Sequence, residues 1–313
     1  MNSETLSKFG EKKLIKQLAR ILKRRHDVVV GCGDDCAVVS LGPTATDELL
    51  LTSDAVIENI HFDASVPLEL AGRKIIGRVI SDIAAMSGQP SWCLIDLVAP
   101  PERKVDEIMQ IYSGMTKFAE EYNMAIVGGD TARGGVLELH AFCVGTIPRG
   151  RAVLRSGAGK GDALFVTGTI GGSRSGKHLN FLPRLREGIF LRDWASSMID
   201  ISDGLASDLR HLIEASAVGV EIFMDKIPVS DVLNNLLPSE KIKHAFTDGE
   251  DFELLFTVPE KKKNAFLNRW NRMFDLSLSE IGIITETPGK ITTKDQNDLF
   301  CMPDEGFDHF LTT

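Results

Sequence analysis

Several aspartates stand where an apolar run meets a glycine-rich or polar turn. Asp54, Asp130 and Asp200 each follow an apolar run directly. Mg²⁺ prefers hard oxygen ligands, and proteins usually hold it with one or two carboxylates together with phosphate oxygens of a substrate. If these turns converge on one cleft, they form a site that binds phosphate through magnesium. The segments are Gly33-Asp34-Asp35, Thr52-Ser53-Asp54, Ser81-Asp82, Gly128-Gly129-Asp130-Thr131 and Asp200-Ile201-Ser202-Asp203-Gly204.

Each of these aspartates also has a structural interpretation. Aspartate is a favoured helix cap and turn residue, and Asp203 before Gly204 and Leu205 fits a helix cap. Capping explains an aspartate before a helix, but it does not explain aspartates that end apolar runs in several separate segments. The set as a whole therefore favours a metal site. Ca²⁺ is a weaker alternative, because the chain has no D-x-[DN]-x-[DN]-G loop.

The elements that must position these residues are a mixture of helices and strands. Apolar residues at helical spacing predict an amphipathic helix over 6–25. The stretch around residue 150 is rich in glycine and positive charge and predicts a boundary between domains 1–150 and 151–313. The fold class is α+β (mixed α/β), in two halves. Further helices are predicted over 67–87, 103–122, 184–196, 204–216, 230–237 and 260–273, and strands over 28–30, 36–41, 49–53, 124–127, 136–143, 163–167, 197–201, 220–224 and 252–258.

Composition excludes several classes of function. The formal net charge is −9, from 44 acidic and 35 basic residues, which argues against binding to nucleic acid or anionic lipid. The five cysteines form no CxxC pair and are odd in number, which fits a reducing, cytoplasmic setting. No apolar run approaches the roughly 20 residues needed to cross a bilayer, so we expect no membrane span.

One motif suggests a nucleotide site but is incomplete. Residues 171–177 read G-x-x-x-x-G-K, directly after a predicted strand. A phosphate-binding loop of this kind needs Ser or Thr next, to bind Mg²⁺, and this chain has His178. We therefore interpret the segment as a flexible loop. Serine-hydrolase, zincin and complete dinucleotide-binding motifs are absent from the sequence.

With these segments in view, the chain resembles the thiamine-monophosphate kinases, in the superfamily of aminoimidazole ribonucleotide synthetase and selenophosphate synthetase. The resemblance runs from about residue 9 to the end. Its motifs follow in order: Gly33-Asp34-Asp35-Cys36-Ala37-Val38, Ser53-Asp54 with Glu58 and His61-Phe62, Ser81-Asp82-Ile83-Ala84-Ala85-Met86, Gly128-Gly129-Asp130-Thr131, Arg155-Ser156-Gly157-Ala158, Met198-Ile199-Asp200-Ile201-Ser202-Asp203-Gly204-Leu205, Gly249-Glu250-Asp251-Phe252-Glu253-Leu254-Leu255-Phe256 and Gly306-Phe307-Asp308-His309-Phe310.

The resemblance implies a two-domain aminoimidazole ribonucleotide synthetase-like fold and a homodimer in which the N-terminal sheets pair into a barrel. It implies that ATP phosphorylates thiamine monophosphate to thiamine diphosphate, with several Mg²⁺ ions bound. No general base is expected, since the acceptor is itself a phosphate. The implied magnesium ligands are Asp35, Thr52, Ser53, Asp54, Asp82, Asp130, Asp200 and Asp203; the implied ATP contacts are Gly129, Asp130, Arg155 and Ser202; the implied substrate contacts are His61, Glu250 and Phe307.

Some positions depart from the family pattern. Asp248 stands where a first glycine is usual, Phe252 and Phe307 replace more polar aromatic residues, and the segment between Gly172 and His178 is shorter than usual. Two alternatives stay open at this point. One is another ATP-dependent synthetase of the superfamily with a different acceptor, and the other is a non-catalytic paralogue that binds metal or nucleotide.

Overall fold

The first half of the chain forms a six-stranded mixed sheet. The computed structural model describes residues 5–23, 25–293 and 310. The strands are β1 (Val28–Val30), β2 (Ala37–Ser40), β3 (Asp47–Ile57), β4 (Gln89–Ala99), β5 (Ala125–Arg133) and β6 (Glu138–Pro148). They lie in the order β1-β2-β3-β6-β4-β5, and neighbours are antiparallel except β4 and β5, which are parallel. The sheet is open, with β1 and β5 at its two edges.

The described part of the first half contains four helices. They are α1 (Leu6–Phe9), α2 (Glu11–Ile21), α3 (Leu68–Ala85) and α4 (Val105–Glu121). The helix predicted over 6–25 is thus two helices, divided at Gly10, whose φ of 79° belongs to the left-handed region. Helix α3 packs against α4 and against strands β3 and β6. Strand β4 shows the expected alternation, because Cys93 and Ile95 are buried in the core beneath the helices while Trp92 and Leu94 are exposed.

The second half forms a second six-stranded sheet. Its strands are β7 (Ala163–Thr167), β8 (Ser197–Asp200), β9 (Gly219–Ile222), β10 (Leu254–Val258), β11 (Leu278–Thr285) and β12 (Ile291–Thr293). They lie in the order β12-β9-β11-β7-β10-β8, with only β12 and β9 parallel. The predicted boundary at residue 150 falls in the segment between β6 and β7.

Helices cover both faces of the second sheet. They are α5 (Lys177–Asn180), α6 (Leu185–Leu191), α7 (Leu205–Ser216), α8 (Pro238–Thr247) and α9 (Glu260–Met273). Leu164 and Val166 of β7 pack into one core cluster with Leu209, whereas Phe165 packs into the other with Trp270. The helix predicted over 230–237 is wrong, because this segment holds only a 3₁₀ turn at Asp231–Leu233 and the helix starts at Pro238. Proline fits the first helical turn, where its missing N–H costs nothing.

Helix α3 packs against both halves of the chain. Besides the first sheet it contacts α5, α6 and β8 of the second half. The approach to α6 is close at Gly188, where an added Cβ would lie 2.2 Å from the Ala84 carbonyl oxygen. Across the described residues, no helix is long and apolar enough to cross a membrane. The C-terminal end of α3 therefore lies where the two halves meet.

Candidate functional site

Three carboxylates from distant parts of the chain converge at this junction. Asp35 precedes β2, Asp82 lies in the last turn of α3, and Asp200 ends β8. One oxygen from each of the three lies within 4.8 Å of the others. Asp35 and Asp200 are buried and Asp82 is partly buried. This group, here called the carboxylate trio, takes two members from the first half and one from the second.

Each member of the trio has one polar partner. The Thr52 hydroxyl donates to Asp82 Oδ2 at 2.5 Å, and the Ser81 hydroxyl donates to Asp200 Oδ2 at 2.6 Å. Arg155 Nη2 donates to Asp35 Oδ1 at 2.7 Å. Within the described part of the chain, the buried Asp35 Oδ2 has no hydrogen-bond donor. A buried acceptor without a donor, beside two more carboxylates, fits a hard divalent cation such as Mg²⁺.

Burial and repulsion between carboxylates raise the pKa values of Asp82 and Asp200. The pKa of Asp82 is well above its ordinary value because of burial and the charges of Asp200, Asp54 and Asp35. Burial and the charge of Asp35 raise the pKa of Asp200 to about 7. The adjacent Asp34 likewise has its pKa raised to about 7, by burial and by Asp35. Several ionised carboxylates at such short range are costly unless a cation neutralises them.

A cleft of about 290 Å³ lies at the same junction. Its lining includes His61, Ser202 and Glu250, three residues that the sequence analysis assigned to substrate or ATP, together with Arg174 and His178. Ser202 lies two residues after Asp200, which connects this cleft to the trio.

The conformation and charge of Glu250 are both set by its neighbours. Its φ of 54° is in the left-handed region, and its N–H donates to the Ser202 carbonyl at 2.7 Å. Its carboxylate lies 2.7 Å from Lys74 Nζ and 3.2 Å from Arg78 Nη1. Burial alone would raise the pKa of Glu250, but His178, Lys74 and Arg78 outweigh burial and lower it to about 2. Glu250 is therefore a fixed, ionised carboxylate, suited to a cationic or hydrogen-bonding ligand.

Two family models match the chain. The AIR synthase related protein N-terminal domain matches residues 33–147, and the corresponding C-terminal domain matches residues 177–294. Thiamine-monophosphate kinase of Escherichia coli (strain K12) is 34% identical over 339 aligned residues, with 97% of this chain and 99% of that protein covered. The chain belongs to the thiamine-monophosphate kinase family.

Further relatives agree with this membership. Thiamine-monophosphate kinase of Aquifex aeolicus is 33% identical, with 91% of this chain and 94% of that protein covered. The solved structure of AaThiL complexed with AMPPCP and TMP has a TM-score of 0.81 and 31% identity, and covers 99% of this chain and 100% of that chain. The resemblance found in the sequence is confirmed, and so is the mixed α/β, two-domain fold of this family.

The remaining predicted ligands of this thiamine-monophosphate kinase family member lie outside the trio. Both carboxylate oxygens of Asp54 accept from Arg78, and Ser53 is exposed nearby. Asp203 lines a separate cleft of about 360 Å³ with Arg155. The next residue, Gly204, has a φ of 95°, and a side chain would not fit there, because an added Cβ would lie 2.6 Å from the Phe246 carbonyl oxygen.

Gly129 and Asp130 lie on β5, at the edge of the first sheet. Both are exposed, and with Tyr112 they line a pocket whose lining includes no member of the trio. The Asp130 N–H donates to Asp96 Oδ1 at 2.9 Å. Phe307 lies outside the described residues.

Sequence reasoning missed two cations that organise the site. Lys74 is fully buried and donates to the His61 carbonyl at 2.8 Å, in addition to its pairing with Glu250. Arg78 bridges Asp54 and Glu250. Lys74, Arg78 and Asp82 recur every four residues along α3, so they lie on one face of the helix. That charged stripe in a helix that is mostly apolar was the available signal.

The G-x-x-x-x-G-K segment has its donors occupied by the chain's own carboxylates. The Gly171 N–H donates to Asp251 at 2.9 Å, and the Gly172 N–H donates to Asp248 at 2.7 Å. Lys177 Nζ lies 3.0 Å from Glu253. The interpretation as a flexible loop is corrected, since the segment is a 3₁₀ turn leading into α5 and is fixed by these contacts. The Gly171 and Gly172 N–H groups and the Lys177 ammonium are therefore already occupied and do not cradle a phosphate.

The raised carboxyl pKa values predict the pH dependence of stability without metal. A carboxyl whose pKa is higher in the folded chain binds protons preferentially there, so the free energy of unfolding falls as pH rises. For Asp34 and Asp200 the window runs from 3.8 to about 7. Each group contributes up to about 1.4 kcal/mol per pH unit. We expect urea unfolding in EDTA to show stability falling from pH 5 to 7, and Mg²⁺ to reverse the fall. Equal stability at both pH values in EDTA would contradict the shifts.

Proposed function

We propose that this chain transfers the γ-phosphoryl group of ATP to thiamine monophosphate, giving ADP and thiamine diphosphate. The observation that carries the proposal is the convergence of Asp35, Asp82 and Asp200 beside the cleft that holds His61 and Glu250. Family membership supports this choice of reaction, since the relatives are thiamine-monophosphate kinases and AaThiL was solved in complex with AMPPCP and TMP.

The proposed mechanism relies on electrostatics and positioning. Two phosphate groups must approach each other, and like unit charges 4 Å apart repel by about 4 kcal/mol at an effective dielectric constant of 20. Mg²⁺ bound by the trio would neutralise charge on the phosphates and on the transition state. Arg155 would clamp phosphate oxygens of ATP through its guanidinium, next to Asp35. Ser202 and Gly129 are the further proposed ATP contacts.

On the substrate side, His61 and Glu250 would orient thiamine monophosphate. The fixed negative charge of Glu250 suits the cationic thiazolium ring and the amino group of the pyrimidine. Phe307, from outside the described residues, is proposed to stack on a ring of the same substrate. No side chain has to remove a proton, because the attacking phosphate oxygen is already ionised at neutral pH.

The direct test combines purified protein, MgATP and thiamine monophosphate. We expect equimolar ADP and thiamine diphosphate, separated by chromatography and identified by mass. Omitting Mg²⁺ or adding excess EDTA should abolish product, because the trio then has no cation. ADP without thiamine diphosphate would assign the chain to a different acceptor, and the absence of both products would indicate a non-catalytic paralogue.

We further propose that the chain works as a homodimer whose first sheets pair into a barrel. The face of the first sheet opposite α3 and α4 exposes large apolar side chains, including Trp92 at 50%, Leu94 at 41% and Phe142 at 40% relative exposure. A contiguous apolar face of this kind is typical of a protein–protein interface. Light scattering during size-exclusion chromatography measures the mass of the protein in solution, which we expect to be twice that of one chain.

The position of Asp130 also supports a dimer. Along the register, Asp54 pairs with Ala141, Ala141 with Ile95, and Ile95 with Gly129, the neighbour of Asp130. Three strand spacings therefore separate β3 from β5, or about 14 Å. Ligands of one Mg²⁺ lie within about 4 Å of each other. We propose that Asp130 completes the magnesium site of the other protomer, with Thr52, Ser53 and Asp203 as further ligands. The resemblance also implies Asp54, but both of its carboxylate oxygens are already paired with Arg78.

A further inference from the structure

The contacts of Asp54 set it apart from the other proposed magnesium ligands. Arg78 Nε donates to Asp54 Oδ2 and Arg78 Nη2 to Asp54 Oδ1, both at 2.7 Å. Both carboxylate oxygens are thus engaged by one planar guanidinium, the strongest pairing available to these two side chains. In contrast, Asp35 Oδ2 in the trio has no donor within the described residues.

Arg78 is also fixed from its other sides. Its Nη1 donates to Glu250 Oε1 at 3.2 Å, and its guanidinium carbon lies 5.7 Å from the centre of the Phe252 ring. Only 13% of the Arg78 side chain is exposed. A guanidinium with all three nitrogens bonded and little access to water has no low-energy position to move to when a metal ion arrives.

The charged side chains form two groups, which differ in their ratio of positive to negative charges. Lys74 and Arg78 face Asp54 and Glu250, so two positive groups meet two negative groups. The trio has three carboxylates, and among the residues that the structure describes the ion pair found for it is that of Arg155 with Asp35. An additional divalent cation is attracted to the trio and repelled by the guanidinium at Asp54. The structure therefore does not fit a magnesium ion at Asp54.

We infer that Arg78 is a built-in cation that occupies the position of a metal ion at Asp54. Arg78 lies one helical turn before Asp82 and contacts Glu250 of the substrate cleft. If the proposed function holds, on which this step rests, Arg78 places a permanent positive charge between the trio and the thiamine monophosphate cleft. It is a positioning residue that keeps Asp54 neutralised and reduces the number of metal ions that the site needs.

The test counts Mn²⁺ ions bound per chain, by equilibrium dialysis and electron paramagnetic resonance, without nucleotide. We expect the wild type and Asp54→Asn to bind equal numbers, because Asp54 holds no ion. Arg78→Met should bind one more ion than the wild type, and the double variant Arg78→Met/Asp54→Asn should return to the wild-type number. Loss of an ion in Asp54→Asn, no gain in Arg78→Met, or a gain that survives in the double variant would overturn the inference.

Arg103→Met is the matched control, because Arg103 also pairs with carboxylates, Glu58 and Glu107, but away from the trio. Its ion count should equal that of the wild type, and a gain there would show that any freed carboxylate binds Mn²⁺. Circular dichroism checks folding. If Arg78→Met fails to fold, the ion counts of the wild type and Asp54→Asn still show whether Asp54 holds an ion. Ion counting needs no turnover, so an inactive enzyme with the expected counts would refute the proposed function alone.

Discussion

Asp82→Asn is expected to lower turnover by about a hundredfold to a thousandfold while raising the thermal stability of the metal-free protein. Asparagine keeps an oxygen that accepts from Thr52 but removes one of three adjacent negative charges. Loss of a group that stabilises developing charge through a bound cation typically costs 10² to 10³ in rate, about 3 to 4 kcal/mol. Burial and repulsion from Asp200, Asp54 and Asp35 raise the pKa of Asp82. Removing its charge relieves both effects and stabilises the fold at neutral pH.

The measurements are steady-state kinetics and melting temperature, each with Mg²⁺ and with EDTA. Binding of a cation to the folded state raises the melting temperature of the wild type, and the rise should be much smaller in the variant. Asp193→Asn is the control, since that carboxylate is 72% exposed and pairs with Arg151 on the surface. A variant that loses activity and also melts lower in EDTA would show that Asp82 serves structure and does not carry metal-linked charge.

The trio was predictable as residues but not as a cluster. The sequence marks Asp82 and Asp200 because each stands in a polar motif, Ser81-Asp82 or Asp200-Ile201-Ser202-Asp203, that follows an apolar run. Nothing in the spacing says that residues 35, 82 and 200 meet, because their approach depends on how α3 packs against β8 of the second half. The resemblance implied a larger set of magnesium ligands, and the structure brings three of them, Asp35, Asp82 and Asp200, into one cluster.

Lys74 and Arg78 on α3 were not predicted as site residues, for a related reason. A lysine or arginine in a helical pattern normally lies on the solvated face. Helix α3 is covered by the first sheet, by α4 and by the second half, so Lys74 has no solvated face to reach and is neutralised by Glu250. Tertiary burial decided the role of these residues, and burial from a distant segment is not visible in local periodicity.

The strands and helices were predicted best where the local pattern agreed with the final packing. Helix α9, predicted over 260–273, spans Glu260–Met273, and strand β7, predicted over 163–167, spans Ala163–Thr167. Strands β11 and β12 were not predicted. Strand β12 lies at the edge of the second sheet and is only three residues long, Ile291–Thr293. Such a segment is too short to show the alternation of apolar and polar residues that predicts a strand.

Mixed dimers are expected to recover activity that neither parent has. Asp130→Asn and Asp200→Asn should each be inactive as homodimers, because every site lacks one carboxylate. In a heterodimer, the Asp130→Asn protomer keeps its own trio and receives intact Asp130 from the Asp200→Asn protomer. One of the two sites is then complete, so the heterodimer should have about half of the wild-type activity, as two-fold symmetry requires. Co-expression with two different affinity tags isolates the heterodimer for kinetic measurement.

A second heterodimer makes the result specific. Asp82→Asn and Asp200→Asn both alter the trio, which a single chain supplies in full. Each site of that heterodimer keeps one damaged carboxylate, so it should stay inactive although it assembles equally well. Recovery with Asp130→Asn but not with Asp82→Asn would place Asp130 in the partner's site. An inactive Asp130→Asn heterodimer would contradict the proposal that Asp130 acts in the site of the other protomer.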